Sequence, residues 1–426
     1  MSRIYLSTQT DSPEKNTSED ENSPGAMGQA QEKPKILVLT QVLPFPPDAG
    51  PKIKTFNLIK YLARDYAITL VSFVRPENTP EHLAKFLEYC EEVHYVTIRR
   101  SRWRDGLALL RSFFSTKPFL IVRDESRQMT RLLKELVTKK EFALVHADQL
   151  NMAQYGLPLP VKNHLLDQHN AVWKIIDRLS KGETNPFKKA LMKFETFKLR
   201  RYEQQICRRF EVVLAVNRQD AEALKVACEV IPIGVDAVGT EPLALQPGSL
   251  NLVSLGTMFY PPNVEGVIWF ATQVLPLIQE ARPEVTYTII GPRPPDIIYD
   301  LARRNSCIRV TGYLADLRPT LEASCGLVVP LLSGGGMRVK ILEALSLGLP
   351  VISTTIGAES INLENEKTGL LADTPQEFAQ SCLKLLNEPD LQVTLSNAGR
   401  QLALEQYDFR KAYAPLTKIY SNLIPQ

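Results

Sequence analysis

Residues 330–353 read PLLSGGGMRVKILEALSLGLPVIS, and their order decides the fold. A short apolar strand over residues 326–331 runs into Gly334, Gly335 and Gly336, after which Met337, Ile341, Leu342, Leu345 and Leu347 recur at helical spacing. Gly348, Leu349 and Pro350 stop that helix and a new strand begins, so the stretch reads strand, glycine turn, helix, strand. Glycines permit a close backbone approach, and the free N–H groups and dipole at a helix start favour an anion. Arg338 and Lys340 stand in that first turn, where a cation opposes the dipole and is more natural beside a bound anion. Glu343, one turn later, can accept hydrogen bonds from two adjacent hydroxyls. The plainer alternative is a tight turn with solvated charges.

Working outward, the same alternation recurs. Strands over residues 252–255, 285–290 and 308–311 each run into a glycine (Gly256, Gly291, Gly312), with helices over 263–279, 295–304 and 316–323 between them. Glycine at the strand ends clears the carboxyl edge for a flat ligand. Helices over 375–386 and 391–405 close the half. Upstream, the apolar run of residues 35–40 suits a strand buried on both faces. The proline-stiffened loop 44–51 follows, with Gly50 opening a helix, and further strands fall at 68–73, 93–98, 143–147, 164–167 and 212–216. The fold class is α/β: two Rossmann-like doubly wound domains facing across a cleft. The divisions are a disordered polar tail at 1–33, a first doubly wound domain at 34–233, a Pro/Gly-rich linker at 234–250 and a second doubly wound domain at 251–405.

The 426-residue chain is long enough for two domains, with 44% hydrophobic and 23% charged residues as in soluble globular proteins. A net charge of +3 does not argue for a nucleic-acid partner. The six cysteines show neither CxxC nor paired spacing with histidine, so neither a disulfide frame nor a zinc site is expected. No apolar run has the length of a membrane span and no signal-peptide pattern opens the chain, so the expected home is the cytoplasm. Two basic stretches allow contact with the inner face of a membrane from the side. Arg99, Arg100, Arg102 and Arg104 flank Trp103, and residues 188–209 are rich in Lys and Arg. An ordinary solvated helix face is the alternative for each.

Two histidines follow strand runs. His146 is expected to be a neutral, hydrogen-bonded loop residue; His169 shares a polar turn with Asp167 and Asn170 and is the better functional candidate. No G-x-x-x-x-G-K-[ST] occurs, no G-x-G-x-x-G opens a helix after the first strand of either half, and no Asp-x-Asp pair is present to hold a metal on a diphosphate. Backbone amides and basic side chains would then carry a diphosphate's charge, as Gly336, Arg338 and Lys340 allow.

The segment Ile231-Pro232-Ile233-Gly234-Val235-Asp236, Gly256 with Pro261-Pro262-Asn263-Val264, Gly312-Tyr313 with Asp316-Leu317, and above all residues 334–350 carry a family likeness. Together they resemble the nucleotide-binding domain of family 4 (group 1) retaining glycosyltransferases of the GT-B fold. The Gly50 loop and the Asp167-Gln168-His169-Asn170 turn are similar to that family's donor and acceptor loops. The resemblance implies a metal-independent hexosyltransferase with a nucleotide-diphosphate sugar as donor substrate, no separate cofactor, a lipid-linked or glycan acceptor, and a last helix (406–426) crossing back to the first domain. It implies that Glu343 binds the donor ribose, that Arg338 and Lys340 lie near its diphosphate beside Gly334, Gly335 and Gly336, and that His169 touches the reacting centre. It also implies retention by front-face attack, the leaving phosphate taking the acceptor proton. The sequence departs from the family pattern Glu-x(7)-Glu, whose first acid falls on Gly335, and Phe259-Tyr260-Pro261-Pro262 stands where a lysine is usual. A nucleotide-sugar epimerase and a non-catalytic nucleotide-sugar-binding protein of the same fold are the alternatives.

Overall fold

The computed structural model describes residues 32–246 and 248–424. The tail expected at 1–33 lies almost wholly outside them.

The first sheet has seven parallel strands: β1 (Lys35–Thr40), β2 (Ala67–Val74), β3 (Glu92–Thr97), β4 (Leu144–Asp148), β5 (Asn163–Gln168), β6 (Val212–Ala215) and β7 (Glu229–Val230), in the order β3-β2-β1-β4-β5-β6-β7. Every residue of β2 is buried, as a strand covered by helices on both faces requires. The second sheet orders β10 (Ile308–Gly312), β9 (Thr286–Ile290), β8 (Asn251–Leu255), β11 (Gly326–Val329), β12 (Val351–Ser353) and β13 (Leu370–Leu371), again all parallel. Each sheet therefore reverses its winding once, between β1 and β4 and between β8 and β11. At such a reversal neighbouring loops leave in opposite directions and open a crevice at the strands' carboxyl ends. The glycine turn follows β11 and so lies at the second crevice.

Several boundaries differ from the sequence reading. The turn after β11 is longer than the apolar pattern suggested, because the helix starts only at Val339 (Val339–Ser346) and Arg338 is its N-cap. The helix expected over 263–279 is Pro261–Trp269 and Leu275–Ala281 joined by a widened turn at Phe270–Val274. Pro276 accounts for the widening, since it lacks an N–H and crowds the carbonyl one turn back. Strands β7 and β13, two residues each, are too short to show a period of their own.

The chain crosses between domains twice, side by side. Val235 N–H donates to Tyr407 O and Phe409 N–H to Val235 O, both at 2.8 Å. A Cβ on Gly234 would lie 2.6 Å from the Phe409 Cα, so only glycine lets the two crossings pass. Beyond the crossing, helix Ala414–Leu423 buries Leu416 and Tyr420 among the first domain's Ile36, Val38 and Ile68.

Candidate functional site

Gly334 and Gly336 adopt φ of +112° and +80°, which L side chains rarely tolerate. The turn they make is gripped from the opposite domain. Arg178, on helix Val172–Gly182, donates from Nη1 to Gly334 O at 2.6 Å. A Cβ on Gly335 would fall 1.7 Å from that same Nη1, and one on Gly336 would fall 2.7 Å from Asn170 Oδ1. Gly50 meets the glycine helix too, since its Cβ would touch Val339 at 3.0 Å. Gly50, Asn170 and Arg178 thus face the turn of residues 334–336 and its helix across the cleft.

Arg338 folds back over its own turn, Nη1 donating to the carbonyls of Gly335 and Gly336, while its Nε and Nη2 are buried without a partner among the described residues. No side chain caps the first amides of the Val339–Ser346 helix. Buried donors left open in this way are uncommon and suit an anion. Lys340 donates from Nζ to Leu255 O at 2.7 Å and to Asn263 Oδ1 at 3.1 Å, at the carboxyl end of β8. Burial, with Arg338 adding repulsion, pushes its pKa down to about 7. Glu343 is open to water yet set deep among surrounding protein, which pushes its carboxyl up to about 7; the open water limits that push. No side chain pairs with it among the described residues.

The room expected at the strand ends is only partly there. Asn263 fills the place of a Gly256 side chain, at 2.7 Å, and the missing Cβ of Gly291 lets Gly256 O approach to 1.7 Å of its ideal position. Here glycine serves backbone crossing rather than an open platform. Gly312 has nothing within 4 Å, and Tyr313 beside it is 73% exposed. Arg293 lies over the exposed Phe259 ring at 3.8 Å, so the outer rim of this edge offers flat groups.

On the first domain, the turn of residues 167–170 does not act as one polar cluster. Asp167 ends β5 pointing inward to Lys54, and both side chains are fully buried. Burial works to raise the Asp167 carboxyl, but Lys54 and then His169 and His146 outweigh it and hold it below the usual range. His169 Nε2 lies 2.8 Å from Asp148 Oδ1, out of line for a hydrogen bond, and the residue is 5% exposed. Asp148 also accepts from Thr55 Oγ1 at 3.1 Å. His146 is wholly buried with Nδ1 at 2.6 Å from the Tyr420 hydroxyl of the returning helix, and burial lowers its pKa. His146, Asp148 and Asp167 are close enough together to hold a metal ion, but the Lys54 ammonium already sits on Asp167 and answers its charge.

Two site residues escaped the sequence reading. Lys54 lies on helix Gly50–Leu62, most of whose residues are buried, and nothing in its local spacing separates it from a solvent-facing lysine. Glu203, on helix Pro186–Cys207, accepts from the N–H of Val172 at 3.0 Å and of Trp173 at 3.2 Å, so a distant carboxylate caps the helix that carries Arg178. Burial pushes Glu203 up to about 7 against those hydrogen bonds.

Residues 249–388 match the family model described as Glycosyl transferases group 1. An uncharacterized 44.6 kDa protein in the cps region of Klebsiella pneumoniae is 22% identical over 396 residues, 90% of this chain and 99% of the relative. Anabaena Alr3699/HepE, in a crystal structure with UDP, aligns with TM-score 0.64 at 13% identity over 91% of this chain and 100% of that one. Sucrose-phosphate synthase from Thermosynechococcus elongatus aligns with TM-score 0.65 at 17% identity over 91% and 99%.

Proposed function

We propose that this chain, which has the two-domain GT-B fold and whose residues 249–388 match the Glycosyl transferases group 1 model, transfers a sugar from a nucleotide-diphosphate donor to a lipid-linked or polysaccharide-type acceptor, with retention and without a metal. The observation that carries the reading is the pair of buried, unpartnered nitrogens of Arg338 beside the uncapped amides at Val339. A diphosphate laid there meets a helix N-terminus, the free edge of a guanidinium and, one residue on, Lys340. The Anabaena neighbour, whose crystal holds UDP, supports a nucleoside diphosphate as the group bound. Glu343, partnerless and one turn beyond, accepts the ribose hydroxyls, and the flat groups at Tyr313 and Phe259 lie where a base would stack.

In the transfer, the bond from the anomeric carbon to the diphosphate oxygen breaks while the acceptor oxygen bonds to the same face of that carbon. The acceptor proton passes to the departing phosphate oxygen. Negative charge grows on the diphosphate as the bond opens, and the amides, Arg338 and Lys340 are aimed where it grows. His169, next in sequence to the Asn170 that faces Gly336, takes the sugar side in this reading, with the Asp148 carboxylate beside it. The protein would act in the cytoplasm, at the inner face of a membrane.

The test is release of nucleoside diphosphate when the protein is mixed with nucleotide sugars and a cell extract. Arg338→Ala and Glu343→Ala should each lower the rate by about a hundredfold, the loss of ~3 kcal/mol of charged hydrogen bonding. Unchanged rates in both variants would remove the site. Product analysis on donor alone separates transfer from epimerisation, and tight donor binding without turnover would mark a non-catalytic binder.

A further inference from the structure

On the first domain, away from the glycine turn, two helices present large apolar side chains to solvent. Helix Arg102–Phe113 and the following Phe114 expose Trp103, Leu110, Phe113 and Phe114, and helix Pro186–Cys207 exposes Phe187 and Phe197. Trp103, Phe114 and Phe187 are 79%, 80% and 85% exposed, unusual for rings of that size on a monomer surface. The two helices form one face. The Phe113 ring lies 5.5 Å from Phe114 and 5.9 Å from Phe194, across the gap. Beneath, the face is held rigid: Lys198 Nζ donates to Ser112 O at 2.6 Å and Glu195 Oε2 accepts from Phe119 N–H at 2.8 Å.

The charge around this face is predominantly basic, with the half-buried Asp105 of helix Arg102–Phe113 an acid among it. Arg99, Arg102, Arg104, Lys188, Lys193 and Arg201 are exposed, and none has an acidic partner among the described residues. The acids of the long helix are turned away, Glu195 into the joint with Ser112 and Phe119, and Glu203 into the core.

We propose that this face binds the surface of an anionic lipid bilayer, its aromatic rings entering the headgroup boundary while the basic rim meets the lipid charges. Basic residues ringing exposed Trp and Phe are the composition such a surface selects. A second copy of this chain fits less well, because a two-fold contact would set one basic rim against the other. Helix Val172–Gly182, which carries the cleft residue Arg178, packs along Pro186–Cys207, so the face adjoins the cleft. If the chain is the transferase proposed above, an acceptor carried by a lipid would reach the site from there; the surface itself does not depend on that activity.

The test is sedimentation of the full-length protein, without donor, with vesicles of phosphatidylcholine alone or mixed equally with phosphatidylglycerol. The protein should pellet with the mixed vesicles, stay in solution with the neutral ones, and be released by salt. Phe114→Ser with Phe187→Ser, and separately Lys188→Glu with Lys193→Glu, should each lower the bound fraction about tenfold with the melting temperature unchanged. Equal binding to neutral vesicles, no binding to anionic ones, or variants that pellet like the parent would overturn the assignment. So would a parent dimer that the double serine variant dissociates, which would give the face to a second copy. Glu343→Ala should still pellet, so failure of the donor site and failure of the lipid face read out separately.

Discussion

Replacing Gly335 with alanine tests whether a glycine stands there to admit Arg178 from the opposite domain. The backbone at Gly335 is not in the left-handed region, so alanine itself brings no strain there. Its Cβ, however, would sit 1.7 Å from Arg178 Nη1, and that guanidinium must leave. What leaves with it is the 2.6 Å hydrogen bond to Gly334 O, which ties the turn to the opposite domain. A hydrogen bond from a charged donor contributes about 1.5–3 kcal/mol, and solvent screening of the part-exposed Arg178 brings that below the range, to ~1 kcal/mol. If the gripped turn is the one that receives the diphosphate, Gly335→Ala should weaken nucleoside diphosphate binding about fivefold, and Arg178→Ala should do the same. The double variant should be no weaker than either single one, because alanine at 335 has already displaced the arginine. Calorimetric titration of the three variants and the parent gives the cycle. A double variant about 25-fold weaker, the product of two independent losses, would refute the claim that glycine is there to admit Arg178.

Two predictions concern protons. Lys340, with its pKa near 7 in the free protein, is neutral at higher pH and must take up a proton to meet a diphosphate. Donor affinity should therefore fall about tenfold per pH unit above ~7, and Lys340→Arg, always charged, should flatten that fall in a titration run from pH 6 to 9. Glu203 has its folded pKa raised to about 7 from the ordinary 4.5, so between those values the folded state holds more protons than the unfolded one. Its contribution to stability accordingly declines as pH rises through that window. Glu203→Gln should cost stability at pH 5, where it weakens the cap on helix Val172–Gly182, and close that gap as pH approaches 8; a constant difference in Tm across the range would refute the assignment.

The repeated order of strand, glycine and helix was legible because it is local. A strand buried on both faces is a continuous apolar run, a helix shows its period within a few turns, and glycine marks the turn between them. Residues 330–353 carry all three signals, and so put Gly334, Gly335, Gly336, Arg338 and Glu343 on one turn and the helix after it. What the chain could not show by itself was which distant groups those local pieces would meet. Lys54 and Asp167 are 113 positions apart, Arg178 and Gly334 are 156, and His146 and Tyr420 are 274. No periodicity links such pairs, since a hydrogen bond needs only the right atoms within reach after the sheets and their helices have packed. Tertiary structure alone therefore decided that a lysine is held in the core, that Glu203 caps a helix 31 residues before it, and that Arg178 occupies the space a side chain at position 335 would need.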